Sequence, residues 1–268
     1  MTKGFDAFAL KWIAVIGMIL NHMVYAWQAI LPTWLLFPLY AAGGLTFSIM
    51  AYFAVEGYRH TSNLKRYLLR LLVFGAIAMP FHALVFGIIQ LNIMFTIILG
   101  IALLVVYDKA KRRALFWLVF ALALPLTFFV DLNVVGVLMI VLYHIIPNEK
   151  ARRIAPSVMA GVSWFFVSLF GIISLARFRA TPGMEAQIEF FESAFGDMNF
   201  MMASATFFVG CFAAAFLLIR HNGERGKKMK WMFYAFYPLH LAFLAGVAIA
   251  LGLIDFDAIG TFGLIVVR

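Results

Sequence analysis

Apolar residues run along this chain in nine blocks separated by short polar breaks. The blocks cover roughly 8–31, 35–55, 67–89, 91–107, 114–130, 131–146, 154–176, 199–219 and 231–254. A helix that crosses the hydrocarbon of a bilayer needs about 20 consecutive, mostly apolar residues. The pattern therefore predicts an all-α polytopic membrane bundle of about nine transmembrane helices, read as one domain over residues 1–268. No internal repeat divides it, so the inverted-repeat signature of many transporters is missing. The final stretch, 258–268, is apolar and is open to a return into the membrane.

The breaks carry the charge, and they carry it unevenly. Lys3 and Lys11 precede or open the first block. Arg59, Lys65, Arg66 and Arg70 follow the second, Lys109, Lys111, Arg112 and Arg113 the fourth, and Lys150, Arg152 and Arg153 the sixth. Arg220, Arg225, Lys227, Lys228 and Lys230 follow the eighth. Only Arg177, Arg179 and Arg268 fall on the other side, so 18 of the 21 basic residues share one face of the membrane. The positive-inside rule then predicts a cytoplasmic N-terminus and a multi-pass protein of the bacterial inner membrane. The first apolar block is too long, and too close to Lys11, for a cleaved signal peptide.

Composition narrows the function classes. Hydrophobic residues make up 65% and charged residues 12% of the 268, far from the balance of a soluble domain. Cys211 is the single cysteine, which excludes a disulfide scaffold. One cysteine and scattered histidines do not build a closed metal site, and no metal is expected. The net charge of +9 sits in short clusters between apolar runs, which fits topology rather than nucleic-acid binding.

Ionisable groups within a span cost about 3 kcal/mol at its centre and tend to mark function. In the first block Lys11 and His22 are eleven positions apart, nearly three whole turns, so they share one face about 16 Å apart. Asn21 and Tyr25 border that face. In the ninth block Tyr237 and His240 share a face at i, i+3, around Pro238, which leaves the Tyr234 carbonyl without its helical donor. His22 and His240 fall at similar depth, as a proton-handling pair requires. The same spacings also describe a snorkelling lysine and packed histidines bonded to neighbouring helices. For His82, beside Pro80, interhelical hydrogen bonding is the favoured reading. Asp131 and Asn133 read as caps of the sixth helix, and His144 as a favourable charge at a helix end. His60 and His221 read as solvated loop residues. Arg59, Lys65, Arg66 and Arg70 are suited to a phosphate ligand and equally to topology and anionic lipid. Segment 177–198, with Met184, Ile188, Phe191 and Phe195 on one stripe, reads as an amphipathic helix on the outer surface.

Several of these residues form a recognisable series. It comprises Leu10-Lys11 with Ala14, Met18 and His22, then the run Val55 to Asn63 with Tyr67, Arg70 and Leu71. Pro80 follows, then Asn92 with Thr96 and Gly100, Asp131 with Gly136, and Tyr237 to Leu241. In this order and spacing the chain resembles the TraX family, named for the conjugative-pilus protein that N-acetylates pilin. It is also similar to the membrane acyltransferases that acetylate sugars across the membrane, whose first span carries a basic residue, ten residues, then histidine. Lys11 and His22 match that pattern. One departure is Asn21, where the family pattern has aspartate; an amide orients a neighbouring imidazole without raising its basicity to the same degree.

The resemblance implies an acetyltransferase that uses cytoplasmic acetyl-CoA. The implied acceptor is the N-terminal amine of a pilin subunit. His22, Asn21, His240 and Tyr237 are then the expected catalytic residues, and Lys11, Arg59, Lys65, Arg66 and Arg70 the expected acetyl-CoA site. The alternatives are an O-acetyltransferase of a surface polysaccharide or lipid-linked sugar, a proton-coupled transporter, and a non-catalytic pilus-assembly chaperone.

Overall fold

A computed structural model describes residues 4–256 and 259–261. Lys3 and Arg268 lie outside the described residues, as does most of the stretch 258–268 that was open to a membrane return. Its one described piece, Gly260–Thr261, pairs in parallel with Ile88–Ile89.

Eleven α-helices account for most of the described residues: α1 (Ala7–Trp27), α2 (Thr33–His60), α3 (Leu64–Phe86), α4 (Ile93–Lys109), α5 (Arg113–Thr127), α6 (Asn133–Ile145), α7 (Glu149–Ala180), α8 (Glu185–Phe195), α9 (Met198–Ala205), α10 (Phe207–Ile219) and α11 (Lys230–Ala250). Short polar side chains start many of them, because the first turn of a helix leaves backbone N–H groups without partners. Asp6 accepts from Ala9 N at 2.7 Å, Asn63 from Arg66 N at 2.9 Å, Asn92 from Met94 N at 3.1 Å and Asn148 from Ala151 N at 2.9 Å. In a chain this apolar, those polar breaks are the main punctuation.

The expected nine spans become six. Among the described residues, six helical stretches are long and apolar enough to cross a membrane: Ala7–Ile30, Thr33–His60, Leu64–Phe86, Glu149–Ala180, Met198–Ile219 and Trp231–Ala250. The three blocks between α3 and α7 fold as helices of 17, 15 and 13 residues. Each is shorter than the about 20 residues that a crossing needs, and a turn separates α5 from α6. Leu132 and Asn133 take positive φ values of 58° and 46°, which ends any continuous helix. The turn is then tied to the one before α4: Leu91 N donates to Phe129 O and Asp131 N to Leu91 O, at 3.0 and 2.9 Å. Asp131 and Asn133 accordingly do not cap α6, whose N-cap is Leu132 with no side-chain bond.

Segment 177–198 is also corrected. Helix α7 runs on to Ala180, so Arg177 and Arg179 belong to it, and only 185–195 forms the separate helix α8. Arg179 pairs with Glu192 and Phe178 packs on Phe191, which folds α8 back against α7.

Helix α2 forms the centre, with buried residues from Leu36 to Val55 and contacts to α1, α6 and α10. Its crossing with α10 is close because both sides present glycine. A Cβ on Gly210 would overlap the Ala41 carbonyl, and one on Gly44 would lie 2.9 Å from Cys211 N. Lipid gives helices no hydrophobic reason to associate, so close backbone packing of this kind carries the interface. Gly210→Ala is expected to destabilise the bundle by about 1–3 kcal/mol through overpacking. Gly246→Ala, where a Cβ meets nothing within 4 Å, serves as the control. A thermal-unfolding midpoint for Gly210→Ala equal to wild type, measured in detergent, would contradict this packing.

One end of the bundle gathers the basic loops. Phe5 N donates to Arg220 O and Ala7 N to Glu224 O at 2.9 and 2.8 Å, pinning the α10–α11 loop across the start of α1. Arg153 of α7 donates to His221 O at 2.8 Å.

Candidate active site

Helices α1, α2, α3 and α11, with the turn before α6, enclose a cavity of about 290 Å³, at the lower edge of the usual ligand-site range of about 300–1,000 Å³. Its wall runs along α1 from Phe8 to Tyr25, a length of about 26 Å at 1.5 Å per residue. Lys11, Arg225, Lys227 and Lys228 line one end; Tyr25, Asp131 and Leu132 line the other. Between them the wall is mostly apolar and aromatic, and His22 projects into it.

His22 and His240 are in contact. Nδ1 of His22 lies 2.7 Å from Nε2 of His240, and the rings stack with centroids 4.9 Å apart at 19°. The other nitrogen of His240, Nδ1, lies 2.9 Å from the Phe236 carbonyl. A carbonyl only accepts, so Nδ1 of neutral His240 carries the proton and its Nε2 is an acceptor. His22 then donates from Nδ1, and its own Nε2 keeps a lone pair. This is the arrangement a general base needs: one nitrogen held, the other unprotonated. Phe236, stacked on His240 at 4.8 Å and 4°, fixes the second ring, and Phe86 meets His22 edge-on at 5.2 Å. The two packed-histidine readings of the sequence thus describe the same contact as the functional one.

Tyr237 is buried, with its ring 6.3 Å from His22. Asn21 lines the cavity but turns its amide to α2, donating to Leu39 O at 3.3 Å. A Cβ on Gly43 would fall 2.6 Å from that amide nitrogen, so Gly43 makes room for it. Asn21 therefore positions α1 against α2 next to His22. Lys11 stands at the mouth with its ammonium over Phe53 and Phe233, at 4.9 and 5.5 Å.

The four basic residues of the α2–α3 region are not on the cavity wall. Arg59 is held by Glu56 at 3.3 Å and by the His144 carbonyl at 2.8 Å. Lys65 and Arg66 are exposed on the first turn of α3. Arg70 reaches the cavity's outer side, with its guanidinium 5.5 Å from the ring of Tyr234, itself a wall residue. Sequence reasoning missed the rim that is there, Arg225, Lys227 and Lys228. Its signal was a glycine-bearing basic loop, GERGKKMK, next to a histidine span.

The remaining histidines separate. His144 does more than sit at a helix end: Nε2 lies 2.8 Å from Asp108, whose other oxygen accepts from Tyr58 OH at 2.6 Å. His82 is buried with neither ring nitrogen hydrogen-bonded among the described residues, and it stacks on Phe86 at 4.3 Å; the expected interhelical bond is replaced by ring packing. His221 is not free in solvent. It contacts Phe5 O at 3.0 Å and packs edge-on against Phe53. His60 does stay in water, with 76% of its side chain exposed. Among the described residues no group of three His, Cys, Asp or Glu is placed to hold a metal ion.

These features define a multi-pass α-helical membrane protein with a histidine pair inside a long, one-end-basic cavity. The chain belongs to the TraX family, described as TraX protein, whose family model matches residues 7–248. The probable fimbrial assembly protein FimC, serogroup H1, of Dichelobacter nodosus is 29% identical over 258 residues, which cover 90% of this chain and 94% of that one. No solved structure matches.

Proposed function

We propose that the chain is a pilus-associated acetyltransferase of the inner membrane, with its basic end in the cytoplasm. It takes acetyl-CoA from the cytoplasm and acetylates an amine acceptor, the N-terminus of a pilin subunit. The observation that carries this reading is the free Nε2 of His22 on the wall of a cavity whose mouth is ringed by Lys11, Arg225, Lys227 and Lys228. The likeness to a fimbrial assembly protein and the family's name support the pilus connection.

The phosphates of CoA bind at that rim by charge-assisted hydrogen bonds, with Arg70 nearest among the α3 bases. The pantetheine arm follows the apolar wall inward, about 16 Å along α1 from Lys11 to His22. The acceptor amine attacks the thioester carbonyl as the neutral base. One N–H proton passes to Nε2 of His22, the C–N bond forms, the C–S bond breaks, and the departing CoA thiolate takes the proton from the His22 imidazolium. His240 supports this by accepting from Nδ1–H throughout. Tyr237 is placed to polarise the carbonyl as charge develops on its oxygen.

Intact-mass analysis of pilin co-expressed with and without this protein tests the reading. The expected result is a gain of one acetyl group only in its presence. An unmodified pilin alongside an acetylated surface glycan would instead assign the O-acetyltransferase activity.

A further inference from the structure

The two ends of the cavity differ in charge. Four cationic side chains line the mouth, and among the described residues a single carboxylate, Asp131, is the acidic group on the wall. We propose that Asp131 forms the acceptor subsite and selects a substrate that presents a protonated amine. This rests on the acetyltransferase reading and adds to it the group that binds the second substrate.

Several observations carry the assignment. Asp131 is held rigidly by its backbone: its N–H donates to Leu91 O at 2.9 Å and its carbonyl accepts from Thr96 Oγ1 at 2.7 Å. Asp131 lines the cavity and makes no ion pair among the described residues. It lines the same cavity as Tyr25 and Tyr237, the two tyrosines beside His22. A carboxylate in a largely apolar space stays ionised only where a cation or hydrogen bonds offset its desolvation. The mouth cations are the wrong partners, because they lie at the far end of a channel about 26 Å long. A ligand that brings its own ammonium meets that need. A hydroxyl acceptor does not, so the same group that favours amines disfavours sugars.

The polarity of the cavity then matches the two substrates. The anionic end of acetyl-CoA stays at the basic rim, and the cationic acceptor approaches from the Asp131 end. Their reactive atoms meet at His22, between the two. Docked as an ammonium, the acceptor sheds one proton to the Asp131 carboxylate and attacks as the neutral amine; Asp131 gives that proton up to water when the acetylated product leaves.

The test is equilibrium binding to the full-length protein in nanodiscs. The probes are alanyl-leucyl-phenylalaninamide and its analogue with a hydroxyl in place of the α-amine. Wild type is expected to prefer the amine by roughly tenfold or more, the range for a hydrogen bond to a charged group. Asp131→Asn is expected to lose that preference while binding the hydroxyl analogue as wild type does, and Asp131→Glu to keep it. A wild-type preference below twofold, or an undiminished preference in Asp131→Asn, overturns the assignment. The wild-type comparison decides even where a variant does not fold. Transfer from acetyl-CoA to the amine probe is measured separately. Amine preference without transfer rejects the proposed reaction and leaves the subsite standing.

Discussion

Replacing His22 with alanine is expected to lower acetyl transfer by roughly 10²–10⁴-fold, the contribution of a positioned general base. Acetyl-CoA binding should change little, because the rim proposed to hold its phosphates is about 16 Å away along α1. The measurement is kcat for the amine acceptor in detergent-solubilised protein, with acetyl-CoA affinity read in parallel. His240→Leu should have a smaller effect. It removes the acceptor of the His22 Nδ1 proton at 2.7 Å, so the ring is free to turn and to change tautomer, but the base itself survives. Because the two rings act as one unit, the double variant should be no worse than His22→Ala alone. A His22→Ala enzyme with wild-type kcat would remove the histidine pair from the mechanism.

The second large effect is expected at the mouth. Changing Arg225, Lys227 and Lys228 together to alanine should raise the KM for acetyl-CoA by roughly tenfold or more. Charge-assisted hydrogen bonds are each worth about 1.5–3 kcal/mol. The kcat at saturation should be nearly unchanged, since on the proposed reading these residues act on binding and not at the reacting atoms. The wild-type KM should also rise with salt, because the rim is exposed and screened. Lys65→Ala with Arg66→Ala is the informative comparison. Both side chains are exposed on α3 and off the cavity wall, so their loss should leave KM as it was. The reverse pattern, a KM raised by the α3 pair and not by the loop triple, would move the cofactor site back to the position that the α2–α3 motif suggests.

The contrast between those two basic clusters shows where local reading stops. The run Val55 to Asn63 stands out in the sequence, yet Arg59 within it is spent on Glu56 and on the carbonyl end of α6. The loop 223–228 stands out less. It becomes the rim only because Ala7 hydrogen-bonds to Glu224 within it, and Phe5 to Arg220 and Asn222 just before it, across more than 200 residues. Asp131 makes the same point: its turn reads as a helix cap, and the bonds to Leu91 and Thr96 instead leave its side chain on the cavity wall.

The sequence by itself determined that this is an all-α membrane protein, the family to which it belongs, and His22, Tyr237 and His240 as its notable polar positions. The fold class and the polar positions follow from hydropathy, helical period and the cost of an ionisable group in lipid, all of which act within a single span; the family follows from the order of the matching residues along the chain. The tertiary structure decided the rest. It cut nine apolar blocks to six full-length spans, because the helices between α3 and α7 have only 17, 15 and 13 residues. It brought His22 to His240 over 218 positions, and so chose which imidazole nitrogen is free. It also set cations at one end of the cavity and a carboxylate at the other. No spacing within one helix encodes those relations, since each depends on how helices far apart in the chain are packed side by side.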